Sequence, residues 1–243
     1  MKKGLNGFQL KIIACIAMVI DHVGAVFYPH MEIFRIIGRL AFPIFAFFIA
    51  EGFFHTRSVK KYLARLGACA VVFQIPDWFS RIYSAVFNVP GFGVNYKFNI
   101  FATLFFGLLA ILLYDRFKAK SVWLSWALAA AVAVTAEITG ADYGAYGVLY
   151  ITVFYLTREN VNKMISGVLT LHVVFTVYDF AIRLSHARAV FFYNPLQLYS
   201  LLAVPLIALY NRERGYKLKY FFYVFYPLHL IIIYVIYWLV QLK

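Results

Sequence analysis

Acidic residues are scarce in this chain: ten Asp and Glu among 243 residues, against twenty-three Lys and Arg, for a formal net charge of +13. Charged residues of both signs make up only 14%, whereas soluble domains carry about 25%, so a solvated globular surface is excluded. Cysteine is nearly missing. Cys15 and Cys69 both sit inside apolar runs, which offers neither a disulfide scaffold nor a thiolate metal cluster. None of the six histidines stands in a His-x-x-x-His or His-Glu-x-x-His spacing, so no metal site is expected. No internal repeat is visible. The excess of cations invites a nucleic-acid reading, but the basic residues stand in short clusters between apolar runs. No folded basic domain is left to hold a duplex, and no nucleic-acid partner is expected.

What the chain does contain is apolar: 64% hydrophobic and 20% aromatic residues, with a mean hydropathy of +0.78. That composition predicts an all-α, polytopic membrane helical bundle, read as a single integral-membrane domain over 1–243. Apolar windows of a length suited to a ~30 Å hydrocarbon core fall at 8–28, 36–55, 62–77, 98–115, 121–139, 144–157, 163–182, 196–210 and 220–241, about nine helices. Residues 78–97, with Trp78, Phe79 and Tyr83, form a Gly/Pro/Asn-containing connection that reads as re-entrant or interfacial. Basic clusters at 2–3, 57–65, 116–120, 158–163 and 212–219 fall on one side, and only Arg81, Lys97, Arg183, Arg188 and Lys243 on the other. By the positive-inside rule this places the N-terminus in the cytoplasm, in a multi-pass protein of the inner (cytoplasmic) membrane. A lipoprotein signal ending at Cys15 is not expected, because Lys11 interrupts its apolar region, nor is a cleavable signal peptide, because Asp21-His22 stands where small residues belong.

The ionisable residues inside these windows carry the functional signal, because charge in hydrocarbon is costly. The first window runs from Gly7 through Lys11 to Asp21, His22 and Gly24. Eleven positions from Lys11 to His22 amount to about 16 Å of rise and a return to within roughly 20° of the same helix face. Lys11 therefore sits towards the cytoplasm and His22 towards the outer half. In the second window Arg35 and Arg39 share a face, as do Glu51 and His55. Arg35 reads equally as a snorkelling interfacial residue. Arg39 lies deeper and calls for an anion, from Asp21, Asp142 or a ligand. Glu51 and His55 fit either a site or a salt bridge with Arg57 or Lys60, and Pro43 frees a backbone carbonyl within the segment. Asn99 stands where it can cap the fourth helix, and Asp142 and Tyr143 stand in a tight turn before Gly144. His172 reads as a hydrogen-bonded core histidine. His229, after Tyr226-Pro227-Leu228, can line the same cavity as His22.

Two chemistries fit these residues: a proton-coupled small-solute transporter using the buried polar line, or group transfer. In the second, His22 is the general base, Asp21 or another carboxylate orients its imidazole, and nearby cations stabilise developing negative charge.

The motifs carry a resemblance. Lys11-x10-His22 is similar to the basic-x10-His signature in the first helix of the membrane acyltransferase-3 enzymes, and Phe47 to Phe54 resembles their Phe- and Gly-rich second helix. The TraX family, the F-pilin N-terminal acetylation proteins, resembles the chain more closely. The shared pieces are Lys11 to Ala14, Met18 to His22, Gly38 to Ala46, Asn99-Ile100-Phe101, Tyr143 to Leu149 and Phe225 to Leu230, in order along nearly the whole chain. The resemblance implies an acetyl-CoA-dependent transmembrane acetyltransferase. It makes His22 catalytic with Asp21 its neighbour, and Lys11, Arg39, Asn99, Tyr143 and His229 lining of the site. Arg35, Glu51, His55 and Asp142 are added as lining, and Arg57, Lys60, Lys61, Arg65, Arg116 and Lys118 as cations for the donor's phosphates. The acceptor is an amine or hydroxyl at the outer side, on a peptide N-terminus, a sugar or a lipid head group. The bilayer is the other expected partner, and the oligomeric state is left open, a homodimer among the options.

Overall fold

Local signals decide where the helices begin and break. The computed structural model describes residues 4–79, 82, 98–185, 191, 193–218 and 220–242. Its helices are α1 (Gly7–Phe27), α2 (Glu32–Gly38), α3 (Ala41–His55), α4 (Val59–Val72), α5 (Ile100–Phe117), α6 (Val122–Ile138), α7 (Gly144–Thr157) and α8 (Val161–Ser185). A 3-10 helix (Pro195–Leu202), α9 (Ala203–Ala208) and α10 (Phe221–Gln241) follow. Asn6 and Gln9 form a reciprocal capping box at the start of α1, satisfying two backbone N–H groups that the first turn leaves without a helical acceptor. Side-chain oxygens of Ser58, Asn99 and Ser121 cap α4, α5 and α6. Among the described residues all longer regular structure is helical. The ladder contacts among them are single bridges, Leu5 with Tyr210 and Phe98 with Ala141.

Each apolar window of the sequence carries helix, with one instructive break. The window over 36–55 begins earlier and is interrupted at Arg39-Leu40, between α2 and α3. Pro43 is the physical reason, since it has no N–H and its ring clashes with the carbonyl of Arg39 four residues back. So Pro43 sits in the first turn of a new helix rather than in the middle of a continuous one. Among the described residues, five segments are long and apolar enough to cross a bilayer: Gly7–Phe27, Glu32–His55, Ile100–Phe117, Val161–Ser185 and Phe221–Gln241. Val122–Ile138, Gly144–Thr157 and Pro195–Ala208 are apolar but shorter. Lys2, Lys3, Arg81, Lys97, His186, Arg188, Lys219, Lys243 and most of the 78–97 connection lie outside the described residues.

The chain divides into two compact units, Met1–Phe48 with Glu159–Thr176 and Asn194–Lys243, and Ile49–Arg158 with Val177–Tyr193. In the first, α1 packs against α2 and α10, and the 3-10 helix packs on α2. The α1–α2 approach depends on two glycines. A Cβ on Gly24 would overlap Phe34, and one on Gly38 would overlap the Asp21 carboxylate. Gly24→Ala is therefore expected to lower stability by about 1–3 kcal/mol through overpacking. The check is the thermal midpoint of the detergent-solubilised protein, and an unchanged midpoint would contradict the close packing.

In the second unit α5 is central, packed on α4, α6 and α7. Asn99, at the start of α5, reaches Ala70 and Gln74 at the end of α4, so these two helices run antiparallel. Tyr143 N–H meets Thr103 near the start of α5 and Tyr155 meets Asp115 near its end, so α7 runs parallel to α5. One end of this unit accordingly collects the basic positions Arg57, Lys60, Lys61, Arg116, Lys118 and Arg158.

Candidate functional site

The centre of the site lies on α1 and α10, which run side by side in the same direction. Lys11 meets Phe222, His22 meets His229 and Phe27 meets Tyr237. His22 Nδ1 lies 2.8 Å from the Met18 carbonyl oxygen. A carbonyl has no hydrogen to give, so Nδ1 must carry the N–H and donate. In the neutral ring Nε2 is then left with the lone pair. His229 is arranged the same way, its Nδ1 2.8 Å from the Phe225 carbonyl oxygen. Its Nε2 lies 3.2 Å from His22 Nδ1, and the two rings meet edge to face with centroids 5.0 Å apart. The sequence-based expectation that His229 shares the surroundings of His22 is what the geometry shows.

Asp21 is placed differently from its expected role. Its two carboxylate oxygens each lie 3.1 Å from Arg39 Nη2, and Arg35 Nη1 is 2.9 Å from Oδ2. Adjacent residues on a helix point about 100° apart, so a carboxylate beside His22 in sequence is not beside its ring in space. The imidazole is oriented by the Met18 carbonyl and His229, and Asp21 instead ties α1 to α2. Asp21 and Arg39 are both buried, and Asp21 is one of the anions expected for Arg39. Arg35, half-exposed, joins the same carboxylate rather than merely snorkelling. Lys11 is held by aromatic faces, its Nζ 4.3 Å from the Phe48 centroid and 5.5 Å from that of Phe222, a cation–π arrangement.

The remaining candidates belong to the second unit, each with neighbours of its own. Glu51 is buried and takes Arg158 Nε at 2.6 Å and His55 Nε2 at 3.2 Å. Its basic partner is thus Arg158 at the end of α7, not Arg57 or Lys60, and nothing local in the sequence marks a pair 107 positions apart. Asn99 caps α5 through Oδ1 and braces α4 through Nδ2, at 2.8 Å from the Ala70 carbonyl. Asp142 and Tyr143 occupy the turn before α7. Gly144 there has φ +48°, and Glu137 fills the space a side chain would need while accepting the Ala145 N–H at 2.8 Å. Among the cations, Arg57, Lys60, Lys61, Arg116 and Lys118 are exposed and Arg65 is half-buried, its guanidinium over Tyr62. Lys118 is engaged by Asp115 at 2.7 Å and Tyr155 at 3.2 Å. The Asp115 carboxylate and the Tyr155 hydroxyl hold its ammonium above the usual lysine range.

In the first unit, buried His172 has Ser200 Oγ at 3.1 Å, as befits a hydrogen-bonded core histidine. Sequence reasoning did not single out Arg158, Ser200, Thr103 or the Met18 carbonyl. Glu137 had a signal, a carboxylate shortly before a helix start.

Comparison with known proteins agrees in extent with the chain. A family model described as TraX protein matches residues 6–237. A probable fimbrial assembly protein FimC, serogroup H1, of Dichelobacter nodosus is 32% identical over 240 residues, covering 93% of each chain. An uncharacterized protein of Rickettsia prowazekii is 53% identical over 45 residues, 18% of each chain. No solved structure matches.

Proposed function

The chain belongs to the TraX family, and on that footing we propose that it is a membrane-embedded acetyltransferase. It moves acetyl from cytoplasmic acetyl-CoA to an amine or hydroxyl acceptor at the outer side of the inner membrane. The observation that carries this is the tautomer of His22: with Nδ1–H committed to the Met18 carbonyl, Nε2 is the basic nitrogen. In the transfer, His22 Nε2 takes the proton from the acceptor's N–H or O–H as that atom attacks the thioester carbonyl. The C–S bond breaks, sulfur leaves with the bonding pair, and the proton on Nε2 passes to it. The products are the acetylated acceptor and the free thiol, and His22 is restored. Attack by Nε2 itself, followed by transfer to the acceptor, uses the same nitrogen and balances in the same way.

The developing oxyanion calls for a cation. Arg39 belongs to the same unit as His22, and we assign electrostatic support to it; Lys11, about 16 Å along α1 from His22, we assign to the donor's cytoplasmic approach. The exposed cations Arg57, Lys60, Lys61 and Arg116, with Arg65, are assigned to the donor's phosphates. Among acceptors, the fimbrial-assembly description of the Dichelobacter nodosus relative favours the N-terminal amine of a pilin-type peptide.

A donor that binds the folded protein must stabilise it by mass action. Saturation at a hundred times the dissociation constant adds about 2.7 kcal/mol. Acetyl-CoA is therefore expected to raise the thermal midpoint of the detergent-solubilised protein by several degrees, and no shift at any concentration would sink the donor assignment.

A further inference from the structure

We propose that His229 is a positioning residue for His22: its Nε2 lone pair accepts the longer branch, at 3.2 Å, of a three-centre bond from the His22 Nδ1–H, whose nearer acceptor is the Met18 carbonyl at 2.8 Å, and so helps to keep His22 Nε2 as the basic nitrogen. This rests on His22 being the base of the proposed acetyl transfer. In many histidine-dependent sites a carboxylate accepts the Nδ1–H, but the carboxylate next to His22 in sequence is committed elsewhere. Asp21 is shared between Arg39 at 3.1 Å and Arg35 at 2.9 Å. The nitrogen facing Nδ1 belongs instead to His229, at 3.2 Å.

The aim of that lone pair is fixed by the partner ring's own contacts. His229 is 5% exposed. Its Nδ1–H is held by the Phe225 carbonyl at 2.8 Å, and its ring lies against Phe225, centroids 5.0 Å apart and planes 14° apart. With Nδ1 as donor, Nε2 is the acceptor. It points at His22.

The same contacts keep the proton on His22 once its Nε2 has been protonated. Passing the Nδ1 proton to His229 would leave a bare lone pair facing the Met18 carbonyl oxygen at 2.8 Å, two acceptors with no hydrogen between them. His229 thus steadies a transient imidazolium without being consumed, and it does so as a neutral group. A buried carboxylate in that place would need its own counter-charge throughout the cycle, whereas a neutral imidazole needs only the Phe225 carbonyl.

Two substitutions separate acceptance from packing. His229→Phe keeps an aromatic ring against Phe225 and removes the lone pair, whereas His229→Gln brings an amide oxygen to about the place of Nε2. The expected result is a loss of about a hundredfold in kcat for His229→Phe, with KM for acetyl-CoA little changed, and recovery of most of that loss in His229→Gln. Wild-type kcat in His229→Phe, or equal losses in both folded variants, would overturn the proposal. A second readout does not depend on turnover. Nitrogen-15 NMR of histidine-labelled protein, with His22→Ala and His229→Phe used for assignment, should show both rings as Nδ1–H tautomers, and an Nε2–H tautomer on His22 would overturn it. Wild-type protein that shows the paired Nδ1–H tautomers but transfers no acetyl would remove the base role by removing the activity, leaving the hydrogen-bonded pair as a separate result.

Discussion

Replacing His22 by alanine is expected to lower kcat for acetyl transfer by roughly 10²–10⁴-fold while the protein still folds. The size follows from the chemistry. An acceptor amine or alcohol must lose a proton as it attacks, and His22 Nε2 is the basic nitrogen assigned to take it. The fold should tolerate the change, because His22 is half-buried and its ring bonds to a neighbouring carbonyl and to His229. The alanine variant leaves His229 with one acceptor turned towards a small void, a modest cost beside the loss of a base. The measurement is thiol release from acetyl-CoA by variants whose thermal midpoints match that of the parent. Activity within about tenfold of the parent would place the base elsewhere.

Asp21→Ala is expected to be among the most destabilising single changes in the chain, by about 3–5 kcal/mol, because it removes the carboxylate with which a buried guanidinium is paired. Arg39 retains only 10% side-chain exposure, as does Asp21, so water cannot replace the lost carboxylate. Arg35 suffers less, with 36% of its side chain exposed. Replacing the pair together, Asp21→Leu with Arg39→Met, should recover much of the loss, since well-packed apolar groups often substitute for a buried ion pair. Thermal or denaturant midpoints of the two single variants and the double variant form the test. Strictly additive losses would show that the carboxylate and guanidinium do not depend on each other. The consequence for function is indirect: this cluster fixes α1 against α2, and α1 carries His22.

Much of this arrangement can be read from residues alone, and the failures share a cause. Apolar runs located each helix because burial in lipid demands continuous helix and leaves a contiguous signature. The His22 spacing from Lys11 and the suspicion attached to His229 were legible for the same reason, being polar groups in places where they are costly. Partner choice was not. Asp21 precedes His22 by one position, so adjacency suggested a pair that helical geometry forbids. Glu51 finds Arg158 across 107 positions, and no local pattern encodes which guanidinium a fold brings home. The break at Arg39-Leu40 was encoded in Pro43, but its meaning, a kink that presents Arg39 to Asp21, emerged only with α1 alongside. Asn99 shows the converse: a capping role visible in sequence is realised, with bonds to Ala70 and Gln74 that were not.

The most direct test uses proteoliposomes with the protein in a single orientation, acetyl-CoA carrying a labelled acetyl group on the cytoplasmic face, and a peptide with a free N-terminal amine on the other. The expected result is labelled acetyl on the outer peptide and free thiol inside, both lost in His22→Ala. Folded wild-type protein that releases no thiol with peptide, sugar or lipid acceptors, or a His22→Ala variant that transfers as well as the parent, would contradict it.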